Sequence, residues 1–123
     1  MMTRGVTRGL ALAALVLATV TGGGRTATSA EPVGERPLLD NDTVTVIEYR
    51  FPPGFQGEEH AAFANEFAYV LDGQFTVTTR GRGRHVVRKG EIEYASQGTI
   101  HTSSNEGKTP AVVLVVILKG RST

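Results

Sequence analysis

The stretch GFQGEEHAAFANEFAYVLDG runs from Gly54 to Gly73 and carries a histidine, His60, six positions before a carboxylate, Glu66. Ala62 stands between them, two residues after His60, so His60 and Ala62 share one face if the segment is extended. Alone, this spacing fits either a metal site that lacks one donor or an ordinary strand that carries a histidine. The rest of the chain bears on this choice.

The first thirty residues differ in composition from the rest of the chain. Arg4 and Arg8 form a basic start, residues 10–20 are apolar, and small residues end the segment at Ala30. This is the pattern of a secretory signal peptide, and its apolar run is about half of the roughly 20 residues that a membrane-spanning helix needs. We therefore expect residues 1–30 to be a signal peptide cleaved near Ala30, which predicts a secreted or extracytoplasmic protein without a permanent membrane anchor.

A buried helix over residues 10–20 is the alternative, but the glycines that follow at Gly22–Gly24 would end such a helix. Removal of residues 1–30 leaves 10 basic against 12 acidic residues, a net charge of −2, which gives no indication of nucleic-acid binding. The chain has no cysteine, which excludes a lipid-anchored lipoprotein and any disulfide. A core, a bound metal or self-association must stabilise so small a domain.

Short segments with period-two patterning and glycine turns follow one another along the remaining chain. Residues 31–42 are polar, contain Pro32 and Pro37, and are expected to be an N-terminal arm or linker. Strands are predicted over residues 43–51, 66–71, 74–80, 84–89, 91–95, 99–104 and 111–119. Asp72-Gly73 predicts a hairpin between the second and third of these, and Gly81–Gly83 a turn after the third. The pattern predicts an all-β sandwich or barrel.

A second stretch, GEIEYASQGTIHTSSN from Gly90 to Asn105, carries His101. The two stretches together resemble the cupin superfamily, whose motifs are G-x5-H-x-H-x3-E-x6-G and G-x5-P-x-G-x2-H-x3-N. The first stretch fits every spacing with Ala62 in place of the second histidine, and the second stretch fits with Ser96 in place of proline. The resemblance implies a single-domain cupin jelly-roll β-barrel (a double-stranded β-helix) over residues 43–120.

The resemblance also implies a metal site. Its ligands would be His60, Glu66 and His101, and its metal a divalent ion such as iron, manganese, zinc, nickel or copper. Two imidazoles and one carboxylate can hold one face of a metal and leave the opposite positions open. The candidates for a substrate pocket around it are Ala62, Glu58, Ser103 and Asn105.

The function expected from this resemblance is the binding of a small molecule at the metal, with dioxygenase, isomerase or cyclase chemistry among the choices. No catalytic acid or base is assigned, and two alternatives stay open: a non-catalytic module for a metal or small ligand, and a metal-free degenerate cupin. A homodimer formed through the sheets is a further expectation.

Two smaller expectations concern individual side chains. His85 lies outside both motifs in a basic hairpin and is expected to face solvent. The aromatic residues at strand positions are expected in the core; they are Phe51, Phe67, Tyr69, Phe75 and Tyr94.

Overall fold

The structure, a computed structural model, describes residues 31–120, which form nine β-strands and no helix. The strands in chain order are β1 (Gly34–Asp40), β2 (Val44–Phe51), β3 (His60–Ala61), β4 (Glu66–Asp72), β5 (Gln74–Thr79), β6 (Gly83–Arg88), β7 (Ile92–Ala95), β8 (Ile100–Ser104) and β9 (Ala111–Leu118). The prediction of an all-β domain is confirmed.

The strands form two antiparallel sheets. One sheet has five strands in the order β1-β2-β9-β4-β7, and the other has four in the order β3-β8-β5-β6. Because side chains alternate across a strand, each sheet turns every second residue toward the other sheet. The buried apolar side chains of both sheets form one cluster, whose members are Ile47, Tyr49, Phe51, Phe55, Val70, Phe75, Val77, Val87, Ala111, Val113, Val115 and Ile117.

Strand β9 lies in the middle of the five-stranded sheet. It pairs with β2 along its whole length and with β4 on its other side. Val113, Val115 and Ile117 are buried while the residues between them are partly exposed, which is the alternation of a strand with one covered face. The apolar run at 111–119 was therefore predicted correctly as a strand.

The first strand occupies a segment for which the sequence predicts an arm or linker. Residues 34–40 pair with β2 at the edge of the sheet, and all seven are exposed. Pro37 is compatible with an edge strand because it has no N–H to donate, and the register shifts between Pro37 and Leu39 as at a β-bulge. The polar composition of 31–42 thus reflects an exposed edge strand and not an unpaired linker.

The predicted hairpin at Asp72-Gly73 is wrong. Strand β4 pairs with β7 and β9, whereas β5 pairs with β6 and β8, so the chain crosses from one sheet to the other at Gly73. Gly73 does have the positive φ, 70°, that the turn signal requires. A Cβ atom there would lie 2.4 Å from the carbonyl oxygen of Pro110, so the crossing passes directly against the start of β9. The hairpin after Thr79, between β5 and β6, is confirmed.

The aromatic residues divide between the two faces of the sheets, which corrects the expectation that all of them lie in the core. Phe51 and Phe75 are buried, whereas Tyr69 and Tyr94 are exposed on the outer face of the five-stranded sheet. Phe67 is half-buried there and packs on Tyr94, with ring centroids 5.0 Å apart. The reason is parity, because Glu66 is the inward residue of this part of β4, so its neighbour Phe67 faces outward.

Within residues 31–120 no helix is long and apolar enough to cross a membrane. The predicted signal peptide, residues 1–30, lies outside the described residues and stays a prediction.

The crossing at Gly73 gives a test of the fold. We expect Gly73→Ala to lower the free energy of unfolding by roughly 3 kcal/mol, because alanine adds the cost of a left-handed backbone and a clash with Pro110. Gly81→Ala is the matched control, since Gly81 has a φ of 83° but nothing within 4 Å of an added Cβ. It should lose only the backbone contribution of about 1–2 kcal/mol. Urea unfolding followed by circular dichroism measures both, and equal losses would contradict the tight crossing.

Candidate metal centre

Three potential metal ligands converge between the two sheets. The Nε2 atom of His101 lies 3.2 Å from Nε2 of His60 and 3.3 Å from Oε1 of Glu66. One ligand atom from each of the three residues lies within 4.8 Å of the other two. The structure therefore brings together the three residues that the sequence motifs single out.

His60 is placed by a short segment that runs alongside β8. The N–H of Gly57 donates to the carbonyl of Ser103, His60 pairs with His101 in the β3–β8 ladder, and the N–H of Ala62 donates to Thr99. An added Cβ on Gly57 would lie 2.8 Å from the carbonyl oxygen of Ser103, so only glycine permits this approach. The strand is two residues long because the chain leaves the ladder after these contacts.

Glu66 and His101 are placed by the inward faces of longer strands. Glu66 begins β4, opposite Ile117 of β9, and His101 lies in β8, opposite Thr79 of β5. Both side chains are less than a tenth exposed, whereas His60 is half-buried. The centre thus has a closed side formed by Glu66 and His101 and a more open side at His60.

The backbone of Glu58 fixes the protonation of one imidazole. Its carbonyl oxygen lies 3.0 Å from Nδ1 of His60 and can only accept a hydrogen bond, so Nδ1 carries the proton. The neutral ring then presents the lone pair of Nε2 toward His101 and Glu66. This is the arrangement in which metal-bound histidines are usually held, with the other ring nitrogen bonded to a carbonyl or carboxylate.

The buried carboxylate of Glu66 is poorly satisfied by the protein alone. Among the described residues, its one partner is Nε2 of His101, at 3.3 Å, which is long for a hydrogen bond. Removing a carboxylate from water without adequate donors or a cation is costly. The nearby charge of Glu66 also acts on buried Tyr49: burial, followed by the charges of Glu35 and Glu66, raises the pKa of this phenol above its usual range, so it stays protonated.

The donor set fits a divalent transition metal. His60, Glu66 and His101 supply two imidazole nitrogens and one carboxylate oxygen, and the proton on Nδ1 of His60 leaves its Nε2 free for coordination. Nδ1 of His101 is buried and has no hydrogen-bond partner among the described residues, whereas its Nε2 faces the lone pair of His60 Nε2 and the carboxylate of Glu66, so without a metal Nε2 carries the proton. A metal bound at Nε2 would replace this proton, and Nδ1 would then carry the proton of the neutral ring.

A cavity of about 30 Å³ adjoins the closed side of the centre. Its polar lining is Glu66, His101, Glu93 and Ser103; the remaining lining residues are Phe51, Ala68, Phe75, Val77, Ala95, Val113 and Val115. One water needs roughly 10–15 Å³ of such space, so the cavity holds about two waters or a compact group of similar size.

The four residues predicted for a substrate pocket occupy different places. Ser103 lines the cavity, but Ala62, Glu58 and Asn105 are not part of its lining. Ala62 is buried, with 2% of its surface exposed, and places a methyl group where the motif has a second imidazole. Glu58 is exposed and takes part in the centre through its backbone carbonyl.

Asn105 has a structural role. Its side-chain amide donates to the carbonyls of Phe51 and Thr109 at 3.0 and 2.9 Å, and its Oδ1 accepts from the N–H of Gly107 at 2.9 Å. Its backbone bonds to Gly54 and Phe55, and the residue is fully buried. Asn105 therefore ties the end of β2 to the loop before β9, and its polar atoms are not available to a ligand.

His85 belongs to a second cluster that the sequence reasoning missed. Its side chain is 48% exposed, but His85 pairs with buried Val77 and so lies on the inward face of the four-stranded sheet. Its Nε2 donates to Oε2 of Glu93 at 2.5 Å. Glu93 could have been identified as inward-facing from its spacing. It lies two residues before the small residue Ala95, and residues two apart in a strand share a face. The nearby arginines Arg80 and Arg84 form ion pairs with Glu59 and Glu106, as expected of a solvated hairpin.

Two antiparallel sheets that enclose a His-Glu-His centre and a small cavity define a class of jelly-roll proteins with a site between the sheets. A family model described as the cupin domain matches residues 47–117, more than half of the chain, and the chain belongs to this family. The match lies within the predicted domain of residues 43–120.

Solved structures share the fold. An RmlC-like cupin family protein with a double-stranded β-helix fold from Methanocaldococcus jannaschii is 17% identical, with a TM-score of 0.67, and the match covers 81% of this chain and 92% of that one. KdgF from a Halomonas species is 19% identical, with a TM-score of 0.66 over 74% and 84% of the two chains. A cupin domain from Bordetella pertussis is 22% identical, with a TM-score of 0.62 over 76% and 100%.

These likenesses confirm the predicted cupin jelly-roll fold and carry no information on activity at such identities. A search of curated proteins found no match to this chain.

The role of Asn105 leads to a second test. We expect Asn105→Ala to lower the free energy of unfolding by roughly 2–4 kcal/mol, because it leaves the buried carbonyl of Phe51 and the part-buried groups of Thr109 and Gly107 without their partner. Asn65→Ala is the control, since Oδ1 of exposed Asn65 accepts one hydrogen bond, from the backbone N–H of Gln97, and this variant should lose about 1 kcal/mol. Denaturant unfolding measures both losses, and a loss for Asn105→Ala no larger than that of the control would contradict the structural role.

Proposed function

We propose that this protein is an exported cupin that binds one divalent metal ion through His60, Glu66 and His101 and binds a small molecule at that metal. The observation that carries the proposal is the convergence of the three ligand atoms within 4.8 Å. The poor satisfaction of buried Glu66 by the protein supports it, because a cation would offset the cost of burying this carboxylate.

The missing fourth donor supports a role in ligand binding. Ala62 supplies no lone pair, so three protein ligands leave more than one coordination position for water or a small molecule. A divalent metal bound there would polarise an oxygen atom of the ligand and lower the pKa of a bound water. The chain's own residues would orient the ligand: His60 on the open side, and Ser103 and the apolar walls in the cavity.

Several reaction classes share this arrangement of a metal and a small cavity. An open metal position in a closed pocket can serve dioxygenase, isomerase or cyclase chemistry, and the same arrangement suits a non-catalytic module for a metal or small ligand. The metal-free alternative draws on the contact between the two Nε2 atoms, since a hydrogen bond of 3.2 Å can hold His60 and His101 together without a metal. The buried carboxylate of Glu66 favours the metal.

Export is supported by the composition of residues 1–30. The basic start, the apolar run and the small residues before Ala30 follow the order of a signal peptide. The first described strand begins at Gly34, close after the proposed cleavage site, so cleavage would leave all nine strands in the mature protein.

A homodimer is supported by an apolar patch on the outer face of the five-stranded sheet. The patch consists of Phe67, Tyr69, Ile92, Tyr94, Leu114 and Val116, which adjoin one another across β7, β4 and β9. Ile92, Tyr94 and Tyr69 are 59%, 47% and 39% exposed. Contiguous apolar surfaces of this kind on soluble proteins are typical of protein interfaces, and a second copy would bring an identical patch.

Metal content tests the proposed function. The mature protein, purified without chelator and loaded with iron, manganese or zinc, should contain about one metal per chain by elemental analysis. His101→Ala should lower the affinity by at least about 100-fold, because it removes a direct ligand. His85→Ala is the control, since His85 lies outside the centre and its loss should leave the metal content unchanged. A metal content well below one per chain in the loaded wild-type protein would contradict the proposal.

Molecular mass in solution tests the dimer. Wild-type protein should have the mass of two chains by light scattering, and Ile92→Lys should have the mass of one, because it places a charge in the patch. Thr78→Lys is the control, since Thr78 is exposed on the outer face of the four-stranded sheet. A wild-type protein that stays monomeric as its concentration rises, or an Ile92→Lys variant that stays dimeric, would rule out pairing through this patch.

A further inference from the structure

Glu93 is a second carboxylate on the wall of the cavity. In the pairing of β4 with β7, Glu66 opposes Ala95 and Ala68 opposes Glu93, so the two glutamates lie on the same inward face, one row apart. Both glutamates line the cavity. The two inward-facing residues between them, Ala68 and Ala95, have only a methyl side chain. The cavity therefore has Glu66 and His101 of the metal centre on one part of its wall and a separate carboxylate, Glu93, on another.

The carboxylate of Glu93 is only partly satisfied. Its side chain is 18% exposed and shares the cavity wall with apolar residues such as Phe75 and Val115. Oε2 accepts from His85, and among the described residues Oε1 has no hydrogen-bond partner. A carboxylate in such surroundings is stabilised by any donor that the cavity can bring to it.

His85 holds Glu93 from the opposite sheet. It lies in β6, the edge of the four-stranded sheet, whereas Glu93 lies in β7, the edge of the five-stranded sheet, and no ladder joins the two strands. Their contact of 2.5 Å crosses this gap and fixes the direction of the carboxylate. His85 is thus a positioning residue for Glu93.

The size of the cavity limits which ligand can reach from the metal centre to Glu93. A ligand whose oxygen binds the metal at His60, Glu66 and His101 can extend into the cavity by roughly two or three non-hydrogen atoms, the equivalent of about two waters. The walls between the ends are apolar, which suits a short hydrocarbon link.

We propose that Glu93, oriented by His85, is the second anchor of the ligand and selects compact molecules with a metal-binding oxygen at one end and a hydrogen-bond donor, a hydroxyl or an ammonium group, at the other. This inference rests on the proposed metal site. It assigns the ligand class by chemistry: short hydroxy or amino acids rather than their unsubstituted counterparts.

Three matched acids test the inference: propionate, 3-hydroxypropionate and β-alanine, which differ only in the group farthest from the carboxylate. Their binding to the zinc-loaded protein is measured by calorimetry, with zinc content determined in each sample. The hydroxy and amino acids should bind about tenfold more tightly than propionate, the usual gain from a hydrogen bond to a charged group. In Glu93→Gln the advantage of β-alanine should disappear, and in His85→Ala it should shrink.

Glu91→Gln is the matched control, since exposed Glu91 precedes β7 and is absent from the cavity lining. It should keep the tenfold preference. Three results would overturn the inference: equal binding of the three acids, no binding of any of them, or an unchanged preference in Glu93→Gln. If the zinc content is still one per chain, each of these results leaves the proposed metal site intact. A wild-type protein that takes up no zinc would instead overturn the proposed function, and with it this use of Glu93.

Discussion

The structure depends on the pairing of β9 with strands on both of its sides. Because β2 pairs with β9 along its whole length and β4 pairs with it in one register from Glu66 to Val70, the inward residues of the three strands form rows across the sheet, such as Ile47, Val115 and Ala68. The same register places Glu66 opposite Ile117 at the end of the sheet. A shift of β4 by one residue would turn Glu66 outward and Phe67 into the cavity. The position of the carboxylate in the centre is thus a property of the whole sheet.

Much of the fold was predictable because its signals are local or fixed in spacing. Alternation and glycine turns identified seven of the nine strands that the structure describes, at least in outline, and missed β1 and β3. Sequence motifs brought His60, Glu66 and His101 together although 41 residues separate the two histidines. These predictions were correct because the residue types and spacings concerned are compatible with only one backbone geometry.

The failures came where one local signal serves two geometries. Asp72-Gly73 has the positive φ of a hairpin turn, but its neighbours β4 and β5 belong to different sheets, and pairing between distant strands decides that. Pro37 indicated a break, but an edge strand tolerates proline. Asn105 fits its motif position, yet its amide serves three backbone groups. Glu93 was missed because its partner, His85, arrives from the other sheet.

The two edges of the five-stranded sheet affect how readily copies of the protein associate edge to edge at high concentration. At one edge, β1 has Pro37, a bulge and the charged pair of Arg36 with Glu48; at the other, β7 is only four residues long. Such edges offer few aligned N–H and C=O groups to the strand of another molecule. A chain with a central strand as apolar as β9 would otherwise be prone to polymerise edge to edge into fibrils. These edges limit the sheet to its own five strands.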